Sequence, residues 1–227
     1  MRVNSGISNL DKLVDGGIPR GNMVLISGDY GTGKTTMGLQ FIVNGIVDEG
    51  EFGVFVTFMK ARDEVSEMGK QFGWQLKRFE REGTFEIIAI PPKKWIGLRE
   101  APEDSVESFV DEIVDTVDDL GADRLVLDSS NELLKLFESE TKFKTQVARL
   151  RKELRDRNCT SILISKGKAH IEELVDGVLI LHYDGGLEKT RGIEVRKMRM
   201  SSHTDRMCPL EIGKKGIVVT GPPEERN

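Results

Sequence analysis

No apolar run in this 227-residue chain approaches the roughly 18–20 residues that a helix needs to cross a bilayer, which excludes a helical membrane span. The opening residues, Met1-Arg2-Val3-Asn4-Ser5-Gly6, have no apolar signal core, so a cytoplasmic protein is expected, not an exported one. Cysteine is scarce. Cys159 and Cys208 lie far apart and in no metal-ligand spacing, which points to two free thiols in a reducing compartment. A basic excess is also missing: the net charge of −5 speaks against a constitutive nucleic-acid binder, although a local basic stripe stays compatible with it. Gln is sparse beside abundant Lys, Arg and Glu, a balance found in heat-adapted proteins. There is neither an internal repeat nor a linker long enough to divide the chain, so a single α/β domain over residues 1–227 is expected, with 222–227 as a loose polar tail.

What is present is an alternation of β-rich apolar runs with segments of helical period, the pattern of a parallel sheet covered by helices. Strands are predicted at 23–27, 53–58, 85–90, 124–128, 160–165 and 178–182. Helices are predicted from about Lys34 to Gly50, around 65–72, over 106–117 and over 143–154. The acidic positions of the 106–117 helix read as a solvated face. Pro, Gly and charge between 93 and 104 predict a surface loop. Late in the chain, Asp184-Gly185-Gly186 predicts a hairpin turn, and the alternation around Ile193 and Val195 an antiparallel strand. A last short strand is expected at 217–219.

The strongest local signal is Gly28-Asp29-Tyr30-Gly31-Thr32-Gly33-Lys34-Thr35, which fits Gly-x4-Gly-Lys-Ser/Thr in full and sits between a strand and a helix. Glycines allow successive backbone N–H groups to turn inward around phosphate oxygens, and the helix N-terminus adds partial positive charge. In such a loop Lys34 reaches the β- and γ-phosphates, and the Thr35 hydroxyl ligates Mg²⁺, with Thr36 next in the cradle. A metal shell also needs a strand-end acid, and Asp128, after Leu125-Val126-Leu127, supplies one that acts through a water. A nucleoside triphosphate and Mg²⁺ are therefore expected, with ATP the first choice and base selectivity left open by so short a motif.

Beyond this loop, several stretches resemble the KaiC family of the RecA superfamily. They are Gly6-Ile7-Ser8-Asn9-Leu10-Asp11-Lys12-Leu13, Gly16-Gly17-Ile18-Pro19-Arg20-Gly21, Leu39-Gln40-Phe41, Phe72-Gly73-Trp74, Asp128-Ser129, Val195-Arg196-Lys197-Met198-Arg199, His203 and Pro209-Leu210-Glu211-Ile212. The resemblance covers nearly the whole chain and is similar to a single-domain, archaeal-type KaiC-like ATPase. It implies a RecA-like P-loop NTPase fold: a mostly parallel central sheet flanked by helices, with a C-terminal antiparallel extension. It also implies a homo-oligomer, a hexameric ring with ATP between subunits. Lys197, Met198, Arg199, Ser201 and His203 would then reach the neighbour's nucleotide in trans. Two residues apart on a strand, Lys197 and Arg199 share a face, as an arginine finger and its companion require.

The sequence departs from the family at the end of the strand after the phosphate-loop helix, where acidic residues that polarise the attacking water are replaced by Met59 and Lys60. Neither accepts a proton, which implies slow hydrolysis and a nucleotide acting as a structural switch. Asp63 and Glu64 are fallback general bases, equally suited to open the next helix. Met200 replaces a usual Gly, which puts the placement of Arg199 in question. Lys166, at a strand end, is a third cation near where nucleotide could lie, but reads as a surface lysine. Three functions stay open: a ring-forming regulatory ATPase with a protein partner, a recombinase-related ATPase on single-stranded DNA, and a non-hydrolysing structural ring. The 131–140 stretch carries Lys135 and Phe137 but also Glu132, Glu138 and Glu140, which disfavours DNA.

Overall fold

The computed structural model describes residues 1–167, 171–186 and 190–221; the expected loose tail lies outside the described residues. In chain order the elements are β1 (Arg2–Val3), α1 (Leu10–Leu13), β2 (Ile18–Pro19), β3 (Met23–Gly28), α2 (Lys34–Glu49), β4 (Gly53–Phe58), α3 (Arg62–Lys70), α4 (Leu76–Arg81), β5 (Phe85–Ile90) and α5 (Pro92–Glu100). They continue with α6 (Glu103–Leu120), β6 (Arg124–Asp128), α7 (Ser130–Leu134), α8 (Glu140–Asp156), β7 (Thr160–Lys166), β8 (Gly177–Asp184), β9 (Thr190–Met198), β10 (Cys208–Gly213) and β11 (Gly216–Val219).

Among the described residues the main sheet runs in the order β11-β10-β9-β8-β3-β7-β6-β4-β5. From β8 to β5 the neighbours are parallel; β9, β10 and β11 form the antiparallel extension. β3, β4 and β6 are buried at every position, as strands covered on both faces must be. One face packs α2 and the N-terminal segment, through Leu39, Phe41, Ile42 and Val126. The other packs α6 and α8, through Phe109, Ile113, Leu150 and Leu154. Asp111 and Asp118 of α6 are ion-paired with Arg149 of α8 and with Arg157, which caps α8, so its acidic face is in part a helix–helix seam.

The segment read as a loop over 93–104 contains α5. Pro at the first helical position pre-sets the backbone. Trp95 is buried, and its indole N–H donates to the Glu132 carbonyl at 3.2 Å. Tertiary docking overrides the poor local pattern. β1, β2, α1, α4, α7 and β10 are also beyond the sequence reading; most are too short to carry a readable period. Cys159 and Cys208 are buried free thiols, and burial pushes both above the ordinary thiol pKa. Among the described residues no helix is long and apolar enough to cross a membrane.

Candidate functional site

β3 ends at Gly28 in the middle of the parallel sheet, between β7 and β8, and the chain turns there into α2. The turn needs glycine. At Gly28 a Cβ would lie 2.4 Å from the Leu181 carbonyl oxygen. Gly33, the N-cap of α2 at φ 102°, would bring a Cβ within 2.9 Å of Ile212 Cδ1. α2 is then docked from its far side by Gln40, whose amide donates to the Ile217 carbonyl at 3.0 Å and accepts from the Ile217 N–H at 2.6 Å. This couples the loop to the antiparallel extension.

A cavity of about 410 Å³ opens at this end of the sheet. Its lining includes Tyr30, Gly31, Gly33, Lys34, Thr35, Thr36, Met59, Lys60, Asp128, Glu132 and Lys166. The Thr35 hydroxyl donates to Asp128 Oδ2 at 2.8 Å, so residues 93 positions apart meet at the ends of β3 and β6. Lys34 folds over the loop and donates to the carbonyls of Gly28 (2.7 Å) and Asp29 (2.6 Å). Burial lowers the Lys34 pKa and the Lys166 charge adds to this, while the carboxylates of Asp128 and Asp29 oppose it. Bound anionic oxygens would favour its charged form. Thr32 donates to the Asp29 carbonyl at 2.9 Å and holds the loop's shape.

Met59 and Lys60 both line the cavity, Met59 with φ 67° and Lys60 with its ammonium 3.3 Å from Asp128 Oδ2. The fallback bases do not line it. Asp63 pairs with Lys77 at 2.7 Å, which draws its pKa down, and the Glu64 carboxylate accepts from the Ala61 N–H at 2.5 Å as a helix cap. Two lining residues extend the set of site residues expected from sequence. Glu132, in α7, brings a second carboxylate to the lining, paired with Lys135 at 2.9 Å. Lys166, read as a surface lysine, is exposed but sits over the Tyr30 ring at 4.0 Å, on the cavity wall. A strand-end lysine one strand from the loop is the signal that identifies it.

Lys197, Arg199, Ser201 and His203 lie away from this cavity. β9 runs against β8, and Lys197 pairs with Val178 near the end where β3 begins. The Lys197 ammonium donates to the carbonyls of Glu172 (2.8 Å) and Val175 (2.6 Å), and Arg199 stands 3.6 Å from Asp176. Burial, then the neighbouring Arg199 charge, lowers the Lys197 pKa. Met198 between them is buried. The Ser201 hydroxyl donates to the Val14 carbonyl at 2.7 Å, and exposed His203 donates from Nδ1 to the Thr204 carbonyl at 3.0 Å. Met200 adopts φ 59°, so its side chain does not prevent the left-handed turn that glycine favours.

The family model for "ATPase: KaiC" matches residues 3–224. This chain belongs to the KaiC ATPase family. Among curated relatives, a UPF0273 protein of Aeropyrum pernix is 35% identical over 96% of this chain and 93% of its own length. A UPF0273 protein of Thermotoga maritima is 34% identical over 96% and 95%. The crystal structure of a KaiC-like protein from the hyperthermophilic archaeon Pyrococcus horikoshii superposes with a TM-score of 0.85 at 34% identity. That match covers 97% of this chain and 99% of that one. This KaiC-family chain thus has the RecA-like arrangement of a mostly parallel sheet and a phosphate-loop turn at its centre.

The residues present fit a nucleotide with its metal. Among the described residues no cluster of three or more His, Cys, Asp or Glu side chains could hold a metal alone. One hydroxyl and one carboxylate suit Mg²⁺, which usually takes its remaining ligands from phosphate and water.

Proposed function

We propose that this chain, as one RecA-like domain, binds ATP with Mg²⁺ on Gly28, Asp29, Tyr30, Gly31, Thr32, Gly33, Lys34, Thr35 and Thr36. It works as a subunit of a hexameric ring and hydrolyses ATP slowly. The observation that carries this reading is the convergence of Lys34, Thr35 and Asp128 on a cavity whose next two lining residues on the β4 side are Met59 and Lys60. Backbone N–H groups of the first turn of α2 have no intrahelical acceptors and are suited to phosphate oxygens. Lys34 holds the outer phosphates, and Thr35 and Asp128 hold the metal, Asp128 through a water; bound Mg²⁺ supplies neutralisation of phosphate charge. Orientation is intact, but activation of water lacks its base, so nucleotide state serves as a switch read by a protein partner.

Lys197, Arg199, Ser201 and His203 act in trans, and Met198, its side chain buried, through its backbone alone, since within one chain they lie at the other end of the strands. The single-stranded-DNA reading is disfavoured. Phe137 is buried against Phe143 and unavailable for base stacking, and Lys135 is paired with Glu132. Native mass spectrometry of the purified protein tests the ring and its ligand: a hexamer carrying ATP is expected for wild type, and loss of the bound nucleotide in Lys34→Ala. Turnover above about one per second, the low end of ordinary enzymes, and lost in Lys34→Ala, would overturn slow hydrolysis.

A further inference from the structure

The carboxylate at the end of β6 already has a cation beside it. Lys60 Nζ lies 3.3 Å from Asp128 Oδ2, the same oxygen that accepts the Thr35 hydroxyl. The pair is sheltered, with 8% of the Asp128 side chain and 34% of the Lys60 side chain exposed. Two features of the fold put Lys60 there. β4 and β6 are neighbours with Thr57 opposite Asp128, so the three residues that follow Thr57 run past the carboxylate. The chain then turns at Met59, whose left-handed conformation is fixed by its N–H donating to the Ile90 carbonyl at 2.8 Å.

The charges in the cavity point one way. Lys34, Lys60 and Lys166 line it together, against Asp128 and a Glu132 already engaged by Lys135. In a nucleoside triphosphate site a carboxylate repels the phosphate oxygens unless a cation stands between them, normally the divalent metal. An ammonium tethered to that carboxylate supplies part of the same neutralisation, at a distance where charge pairs interact strongly in a sheltered pocket.

We propose that Lys60 is a built-in counter-cation that lets this site hold a nucleoside triphosphate without a divalent metal. The proposal rests on the reading of the cavity as a triphosphate site. The experiment is calorimetric titration of the full chain with ATP, once with Mg²⁺ and once with EDTA, for wild type, Lys60→Gln and Lys60→Arg. Wild type is expected to bind metal-free ATP within about tenfold of the Mg²⁺ complex. Lys60→Gln should lose about a further tenfold in EDTA and much less with Mg²⁺, while Lys60→Arg, which keeps the charge, should follow wild type. Equal dependence on Mg²⁺ in wild type and Lys60→Gln would overturn the counter-cation and leave the triphosphate site standing. Absence of ATP binding by wild type in both buffers would overturn the triphosphate site itself.

Discussion

Asp176 is almost wholly buried, yet it carries a charge network at the end of the sheet where β3 begins. It accepts from Arg151 at 2.5 and 2.9 Å and from the Met23 N–H at 3.1 Å, with Arg155 and Arg199 close by. Burial alone would raise its pKa, but the Arg151 and Met23 hydrogen bonds and the arginine charges hold it below the ordinary carboxylate value. The sign of the linkage follows. Ionised Asp176 contributes stability fully above the unfolded carboxylate pKa of about 3.9 and loses it as pH falls through the depressed folded value. Asp176→Asn should therefore cost about 1.5–3 kcal/mol at neutral pH. The deficit should shrink in denaturant titrations carried out at progressively lower pH below about 4. A second prediction at this scale concerns the proposed lack of a general base at Met59 and Lys60. Restoring carboxylates with Met59→Glu and Lys60→Glu together should raise Mg²⁺-dependent phosphate release by about 10²-fold. An unchanged rate would locate the slow step elsewhere. Met59 and Lys60 were legible as departures from an acidic pattern. The Lys60–Asp128 contact was not, because it joins residues 68 positions apart through strand order that no local signal carries.

Elements with a strong period were readable, and those held by docking were not. α2 shows its buried face at Leu39, Ile42 and Val43 and stops at Gly50, whose φ of 68° is the expected left-handed cap. β4 and β5 begin and end where alternation and apolar content place them. α5 went unread because its buried residue, Trp95, with partly buried Leu98, docks on α7 and the core without marking a helical period. Two turns carry methionine in the left-handed region, Met59 and Met200. Such a conformation costs a non-glycine residue roughly 1–2 kcal/mol, offset in part by the greater unfolded-state entropy of glycine. Met200 is 71% exposed, so its side chain contributes little packing. Met200→Gly should stabilise the fold by about 0.5–1 kcal/mol, read as a higher denaturation midpoint with unchanged slope.

At the scale of the whole molecule, the sheet separates the two sets of candidate nucleotide contacts. Gly28 lies at one end of β3. Lys197 and Arg199 lie at the other, because the Arg199 N–H donates to the Asp176 carbonyl and the Asp176 N–H to the Met23 carbonyl, both at 2.8 Å. Met23 to Gly28 spans roughly 16 Å at about 3.3 Å per residue, too far for either side chain to reach the cavity of its own chain. That separation makes shared sites testable without a structure of the assembly. Lys34→Ala removes the phosphate-loop cation, and Arg199→Ala removes the cation proposed to act across the interface. If sites are shared head to tail, each variant alone should release almost no phosphate over hours. A one-to-one mixture, exchanged and reassembled, should regain activity at roughly a quarter of its interfaces. Those are the interfaces where an intact loop from one variant meets an intact Arg199 from the other. If both residues served one chain's own site, no mixture could recover activity, and the proportion of the two variants would not matter. Phosphate release measured across mixing ratios separates these outcomes, with a maximum at equal amounts expected for sites built between subunits.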